Sequence, residues 1–420
     1  MAAAPLQKLM EDAPATAEPA HETVCELEAA RIPHISVHVY RETDNFAEVW
    51  SNAAADRRMV STTTTIYGGG FPAAINHYKN EGTPDLLIVE TDTTPDILEY
   101  EIDALAEVCD PGTQLIVVGH CNDIALYQKV LSMGVANYLV YPVTVPSIIS
   151  AISDVYAQPG RAKIGKIHAV VGAKGGAGSS TVAQNLALEL SRRQVSDVLL
   201  VDLDLHFGTA ALNLDVEANQ GLGELIDQGE RLDVATLDRV LVKRGLHLNL
   251  LGSVHALDHG QHLTLDGLER ILEVAGSHIS QIVLDIPHIW ADWTERCLAA
   301  ADTVTVVSTP ELPSLRNAQT LMTQLKTLRP NDRPPKLVLN QIGMRRRQEI
   351  SARDVASILK IPPEVSIPFE PKPFSRAEAT GKMVTELGRS ALTKAFGALA
   401  DAVVPPYVAP VVAKAQNRKR

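Results

Sequence analysis

Aromatic side chains are scarce. Phe, Trp and Tyr make up 4% of the 420 residues, which argues against the stacked-ring platforms that bind single-stranded nucleic acid. Cysteine is sparse as well: Cys25, Cys109, Cys121 and Cys297 stand far apart, without CxxC spacing. That excludes a disulfide framework and a thiolate zinc site, and suits a reduced cytosolic setting. No run approaches the roughly 18 uncharged apolar residues of a membrane span, and the N-terminal "MAAAPLQKLMEDAPATAEPAHE" has no apolar core of signal-peptide type. Membrane contact is therefore expected to be peripheral at most. An excess of cations is missing too. The net charge of -12 opposes whole-molecule attraction to DNA or anionic lipid, so nucleic acid is not an expected partner, although a local basic patch remains compatible.

What is present suits a soluble protein of two or three domains: 45% hydrophobic and 21% charged residues. Residues 1–32, rich in Ala, Pro and Glu, read as a tail. From 33 to 157 short apolar runs such as "HISVHVY", "DLLIVETD", "QLIVVGH" and "NYLVYPV" alternate with helical stretches. A linker follows at 158–165. A second alternating series over 166–404 contains "IHAVVGA", "DVLLVDLDL", "QIVLDIP", "DTVTVVST" and "KLVLNQI", and a Pro-broken basic tail closes the chain at 405–420. Strands alternating with helices predict two α/β domains, each a doubly wound parallel sheet.

Chemistry concentrates in "KIHAVVGAKGGAGSSTVAQNLALELSRR". A buried strand leads into a glycine loop and then a helix starting near Ser179 or Ser180. Gly175, Gly176 and Gly178 let the backbone turn its N–H groups toward an anion. The helix N-terminus adds unpaired N–H groups and the positive end of its dipole. Ser180 or Thr181 presents a hydroxyl suited to Mg²⁺.

"KGGAGSST" resembles the deviant Walker A loop, KGGxGK[ST]T, of the MinD/ParA ATPases, a P-loop family. The resemblance implies ATP and Mg²⁺ as cofactors, with Lys174, Gly175, Gly176, Ala177, Gly178, Ser179, Ser180 and Thr181 around the phosphates. It also implies that Lys174 reaches the partner's phosphates across an ATP-dependent homodimer. The family's second lysine is replaced by Ser179. "LLVDLDLHFGTAALNL" is similar to the switch I segment, which places Asp202 near the metal and makes Asp204 the residue that positions the attacking water. "QIVLDIPHIW" resembles Walker B and switch II, with Asp285 at its strand end. The implied metal set is Ser180, Asp202 and Asp285, the carboxylates acting through water. The implied catalytic pair is Lys174 and Asp204. "ADTVTVVSTPELPSLRNAQTL" resembles the segment packing near the dimer face. Asn340 matches an adenine-contacting Asn, and "SIPFEPKPF", including Pro368, Phe369 and Glu370, resembles the loop over the base. Loss of the second lysine predicts retained ATP binding with slow hydrolysis.

The front domain resembles a response-regulator receiver that has lost its chemistry. Glu90 stands where the phospho-accepting Asp is expected, Gly119 replaces the switch hydroxyl, and Tyr141 replaces the lysine before Pro142. "RETDNF" lacks the adjacent acidic pair that holds a metal. An acyl phosphate needs an Asp, a metal and a cation, so a docking or dimerisation module is expected, not a phospho-switch. Glu90 reads equally as a mimic of a charged state or as a solvated strand-end carboxylate. A receiver-like front, an ATPase lacking the second lysine, and "MRRRQEISARDVASIL" together are similar to the CpaE/TadZ pilus-assembly branch. That implies a cytoplasmic factor at the cell pole, at most peripheral to the inner membrane, with pilus-assembly or secretion proteins of a Tad/Flp system as partners. The alternative is an active partitioning ATPase cycling on nucleoid DNA or membrane.

Two further patterns carry less. His255, His259 and His262 are close enough for a metal, but Gly260 interrupts the helix, so no metal is expected there. Arg345, Arg346 and Arg347, with the tail "NRKR", read as solvated basic segments.

Overall fold

Two parallel sheets organise the chain. The computed structural model describes residues 31–156, 165–193, 197–218, 220–252 and 263–405. The first sheet contains β1 (Ser36–Arg41), β2 (Thr63–Gly68), β3 (Leu86–Thr91), β4 (Gln114–Gly119) and β5 (Asn137–Val140), all parallel, in the order β2-β1-β3-β4-β5. In this order the chain reverses its winding between β1 and β3, which opens a crevice at the carboxyl ends of those strands. β3 is buried along its whole length, as a strand covered on both faces must be. The helices Asp44–Ala54 and Val145–Tyr156 bury Phe46, Trp50, Ile149 and Ile152 on one face. Gly70–Tyr78, Pro95–Ala106 and Ile124–Ser132 bury Phe71, Leu98, Ile102 and Val130 on the other.

The second sheet contains β6 (Lys166–Gly172), β7 (Val198–Asp202), β8 (Val242–Arg244), β9 (Leu248–Leu251), β10 (Gln281–Ile286), β11 (Thr303–Ser308), β12 (Lys336–Ile342) and β13 (Val365–Pro368). Its order is β13-β12-β11-β6-β10-β7-β9-β8. Every pairing is parallel except β8 with β9. β8 was not expected. Val-Lys-Arg is too short and too charged to show an alternating pattern, and it is held as an edge strand by its turn at Gly245 (φ 72°). Large apolar cores lie on both faces of the sheet. β6 is central, so the loop that leaves it opens at the middle of the carboxyl edge.

Two boundaries move. Residue 32 belongs to the front unit and not to a tail: Ile32 is buried in its core and donates its N–H to Arg58 O at 3.0 Å. Gly165 belongs to the second unit, bonded through its N–H to Gly276 O at 2.7 Å. Residues 1–30, the linker through 164, residues 406–420 and the trio His255, His259 and His262 lie outside the described residues.

The two units meet through a buried ionic cluster. Arg57 Nε donates to Asp332 Oδ2 at 2.6 Å and its Nη1 to Asp302 Oδ1 at 3.3 Å. Asp56, paired with Arg58 at 2.9 Å, accepts from Asn331 Nδ2 at 3.1 Å. Arg31 donates to Ala300 O, at the end of the helix Asp292–Ala300. Burial pushes the Asp302 carboxyl up, but the Arg31 and Arg57 guanidinium groups outweigh it and leave it below the ordinary carboxylate range.

Candidate functional site

The glycine loop emerges from β6 and feeds the helix Ser179–Arg193. Gly176 (φ 76°) and Gly178 (φ 89°) take the left-handed backbone that lets the loop curl. The curl closes on itself through Ala177 N to Lys174 O at 3.2 Å and Val182 N to Gly178 O at 3.0 Å. Side chains from β12 brace it from below. Asn340 Nδ2 donates to Ala177 O at 2.8 Å, and Gln341 Nε2 donates to Gly176 O at 3.0 Å. Asn340, read from sequence as a base contact, is thus placed against the loop's own backbone, with its Oδ1 accepting from Gln341 N at 2.8 Å.

Two carboxylates flank the loop on the next strands. Asp285 on β10 lies in register with Asp202 on β7 and with Val170 on β6. Asp202 is 2% exposed, so it is not a solvated strand end. Its oxygens accept from Asp204 N and Ala210 N, both at 3.1 Å, which fold the following segment over the sheet edge. Asp204 Oδ1 accepts from Phe207 N at 3.0 Å. Burial first, then the neighbouring Asp202 carboxylate, pushes the Asp285 carboxyl up to about 8, while a hydrogen bond from Ser180 works the other way. Asp285 Oδ1 is buried with no hydrogen-bond partner among the described residues. His288 Nδ1 meets Gly172 O at 3.0 Å, which ties the segment after β10 to the root of the loop.

This donor set fits a Mg²⁺–nucleotide. An orphaned carboxylate oxygen and a hydroxyl stand beside a loop whose Gly175 and Gly176 have open space above them. Magnesium takes few protein ligands and completes its shell with water and phosphate oxygens. Among the described residues no group of three or more His, Cys, Asp or Glu gathers elsewhere to hold a metal.

Pro368 ends β13 opposite Ile342, Phe369 N donates to Ile342 O at 2.7 Å, and Glu370 starts the helix Pro371–Ala379. The three form a lip at the same sheet edge as the loop. Lys174 does not extend freely: its Nζ pairs with Glu311 Oε2 at 2.9 Å. Glu311 precedes the helix Leu312–Leu328 and also meets Arg347 Nη1 at 3.4 Å. Arg347 is therefore not a solvated basic residue, unlike the exposed Arg345 and Arg346. Glu311, Arg347, Gln341 and His288 were missed as site residues. They lie within stretches quoted above, but nothing local singles them out, and they converge because β10, β11 and β12 end at one edge.

Residues 165–337 match the family model described as an AAA domain. That stretch lies within the second unit. The ParA-family ATPase of Chlorobium tepidum superposes on this chain with a TM-score of 0.52 and 24% identity, covering 57% of this chain and 98% of its own. The cell-division ATPase MinD of Pyrococcus furiosus does so with a TM-score of 0.50 and 23% identity, covering 57% and 98%. The second unit thus has a fold similar to the MinD/ParA P-loop ATPases, with its central β6 and loop at the expected edge. A pilus assembly protein CpaE of Caulobacter crescentus shares 41% identity over 31% of this chain and 98% of its own, with a TM-score of 0.30. An uncharacterized protein of Mycobacterium tuberculosis is 30% identical over 172 residues, 40% of this chain and 46% of its own. The chain spans about half the length of the curated relatives it matches.

In the front unit, Glu90 is 0% exposed, which corrects the reading of a solvated strand end. It accepts from Glu42 N at 2.7 Å, Thr43 N at 2.8 Å and Thr43 Oγ1 at 2.6 Å. It therefore pins the β1 loop from within. At Gly119 any side chain would collide with the Tyr138 hydroxyl, which donates to Cys121 O at 2.9 Å. Tyr141 stacks on His120 with centroids 4.4 Å apart and accepts from Asn45 Nδ2 at 2.6 Å.

Proposed function

We propose that the AAA domain binds ATP with Mg²⁺, and that ATP-loaded chains pair as a homodimer serving as a localisation factor for Tad/Flp pilus assembly at the cell pole, with slow turnover. The observation that carries the nucleotide reading is the unpartnered, buried Asp285 oxygen beside Ser180 at the mouth of the glycine loop. Ser180 and Asp285, with Asp202 behind them, would hold the metal. When bound, Mg²⁺ neutralises charge on the phosphate oxygens. Gly175 through Thr181 supply N–H groups and the helix N-terminus to the phosphates. Ser179 in place of a lysine removes one charge-assisted contact, about 1.5–3 kcal/mol. Binding survives that loss, whereas a step that builds charge suffers from it. The pilus role is carried by the order of the sequence motifs behind a receiver-like front. It is also the role named for the Caulobacter crescentus protein.

Titration with ATP and Mg²⁺, followed by equilibrium binding and by particle size, tests the reading. Binding with a shift from monomer to dimer is expected. Absence of binding sinks the nucleotide reading, and binding without a size change sinks the dimer switch. Ser179→Lys should raise hydrolysis about tenfold to a hundredfold, and an unchanged rate removes that position as the limit. A partitioning ATPase, the alternative, keeps Lys174 and Asp204 for rapid cycling and requires ATP-dependent DNA binding with a steep salt slope.

A further inference from the structure

Lys174 is the one cation in the loop from Ala173 to Thr181. Its charge is answered within the same chain by Glu311, at 2.9 Å. Glu311 is held at its base: it lies just before the helix Leu312–Leu328, its own N–H bonds Thr309 O at 2.8 Å, and Thr309 Oγ1 reaches its Oε2 at 3.3 Å. Its two oxygens serve different cations. Oε2 faces Lys174, and Oε1 faces Arg347 Nη1 at 3.4 Å. Arg347 is itself anchored, through Nη2 to Glu349 Oε1 at 2.8 Å and to the Gln341 carbonyl. Glu349 in turn accepts from Gly343 N and Met344 N, both at 3.0 Å, so the whole 343–349 turn is built around this arginine. Gln341, whose carbonyl Arg347 holds, also donates its side chain to Gly176 O.

With Glu311 engaged, the loop's single positive charge is cancelled, and an incoming polyanion meets a neutral cradle with a carboxylate beside it. For Lys174 to turn to a phosphate it must leave Glu311. A carboxylate abandoned by its only partner would oppose that move. Glu311 is not abandoned, because Oε1 keeps Arg347.

We infer that Glu311 is a latch that holds Lys174 off the phosphate site, and that Arg347 is the positioning residue that receives Glu311 when Lys174 leaves. This rests on the nucleotide reading proposed above and deepens it: occupancy of the site is set by competition between a polyphosphate and one carboxylate for one lysine. The two residues then act in opposite directions. Removing the Glu311 charge frees Lys174. Removing the Arg347 charge leaves Glu311 bound to Lys174 alone and tightens the latch.

The test measures the dissociation constant of ATP with Mg²⁺ for the full chain and for Glu311→Gln, Arg347→Gln and the double variant, with melting temperatures of the nucleotide-free proteins as a check on folding. A half-exposed charge pair changes an equilibrium by about threefold to tenfold at most. Glu311→Gln should tighten binding by about that factor and Arg347→Gln should weaken it similarly. The double variant should match Glu311→Gln alone, because Arg347 acts only through Glu311. Weaker or unchanged binding in Glu311→Gln overturns the latch. A full Arg347→Gln effect persisting without Glu311 overturns the relay, as it would mark Arg347 as a structural or direct contact. If the unaltered chain binds no ATP, the nucleotide reading itself fails, which is a separate outcome from either of these.

Discussion

Asp285 is under electrostatic tension in the second unit. It is 3% exposed, in register beside Asp202, and has one oxygen without a partner. Its carboxyl is raised from an ordinary value of 3.8 to about 8, chiefly by burial and then by Asp202. A raised carboxyl favours the fold while it is protonated. That contribution is complete below the unfolded value and is lost as pH rises through about 8. The metal-free protein should therefore lose stability between about pH 4 and pH 8 through this group. Asp285→Asn should flatten that part of the curve, as read from denaturant midpoints across pH. An unchanged slope would show that Asp285 ionises freely. Glu90 makes the contrast at the same scale. It is just as buried, but three donors from the β1 loop satisfy it, so it acts as a structural pin.

At the scale of the element, the loop's shape depends on backbone that only glycine adopts at low cost. Gly178 sits at φ 89°, and a Cβ there would strike the Asn340 amide that braces Ala177 O. Gly178→Ala combines a left-handed backbone cost of about 1–2 kcal/mol with displacement of that brace. ATP binding should fall at least about tenfold, while the strands and the helix Ser179–Arg193 persist by circular dichroism. Retained affinity would mean that the curl can form without the brace. The strand, loop and helix were legible in sequence because apolar runs, glycines and a Ser-rich start each state a local preference. The brace from Asn340 and Gln341 was not, since β12 lies more than 150 residues downstream.

For the whole molecule, the front unit is clamped to the second unit by charges away from the loop. Asp302 immediately precedes β11 and bonds Ile167 N at 2.8 Å near the start of β6, at the edge opposite the loop. Side-chain exposures of 10% for Arg57 and 6% for Asp332 make this a buried pair. Breaking such a pair leaves an uncompensated charge and costs about 3–5 kcal/mol. Arg57→Ala should lower the unfolding free energy by that order and expose the joint to limited proteolysis, and an unaltered midpoint would show that the units do not rely on the clamp. The helix Asp292–Ala300 runs from the segment after β10 to the carbonyl held by Arg31, so the clamp touches an element that also begins near the loop.

By itself the sequence determined what local preference and periodicity can carry: two α/β units, the strand ends that bear Asp202 and Asp285, and the glycine loop ahead of its helix. It was silent on β8, whose three residues have no pattern of their own, and on the true start of the front unit, where Ile32 is drawn into a core by distant strands. Only the tertiary structure decided who meets whom. Lys174 meets Glu311, Arg347 meets that same carboxylate, and Arg57 meets Asp332 across more than 270 residues. Charge pairing acts over a few ångströms and is indifferent to distance along the chain, so it leaves no period to read until the sheet has brought its strand ends to one edge.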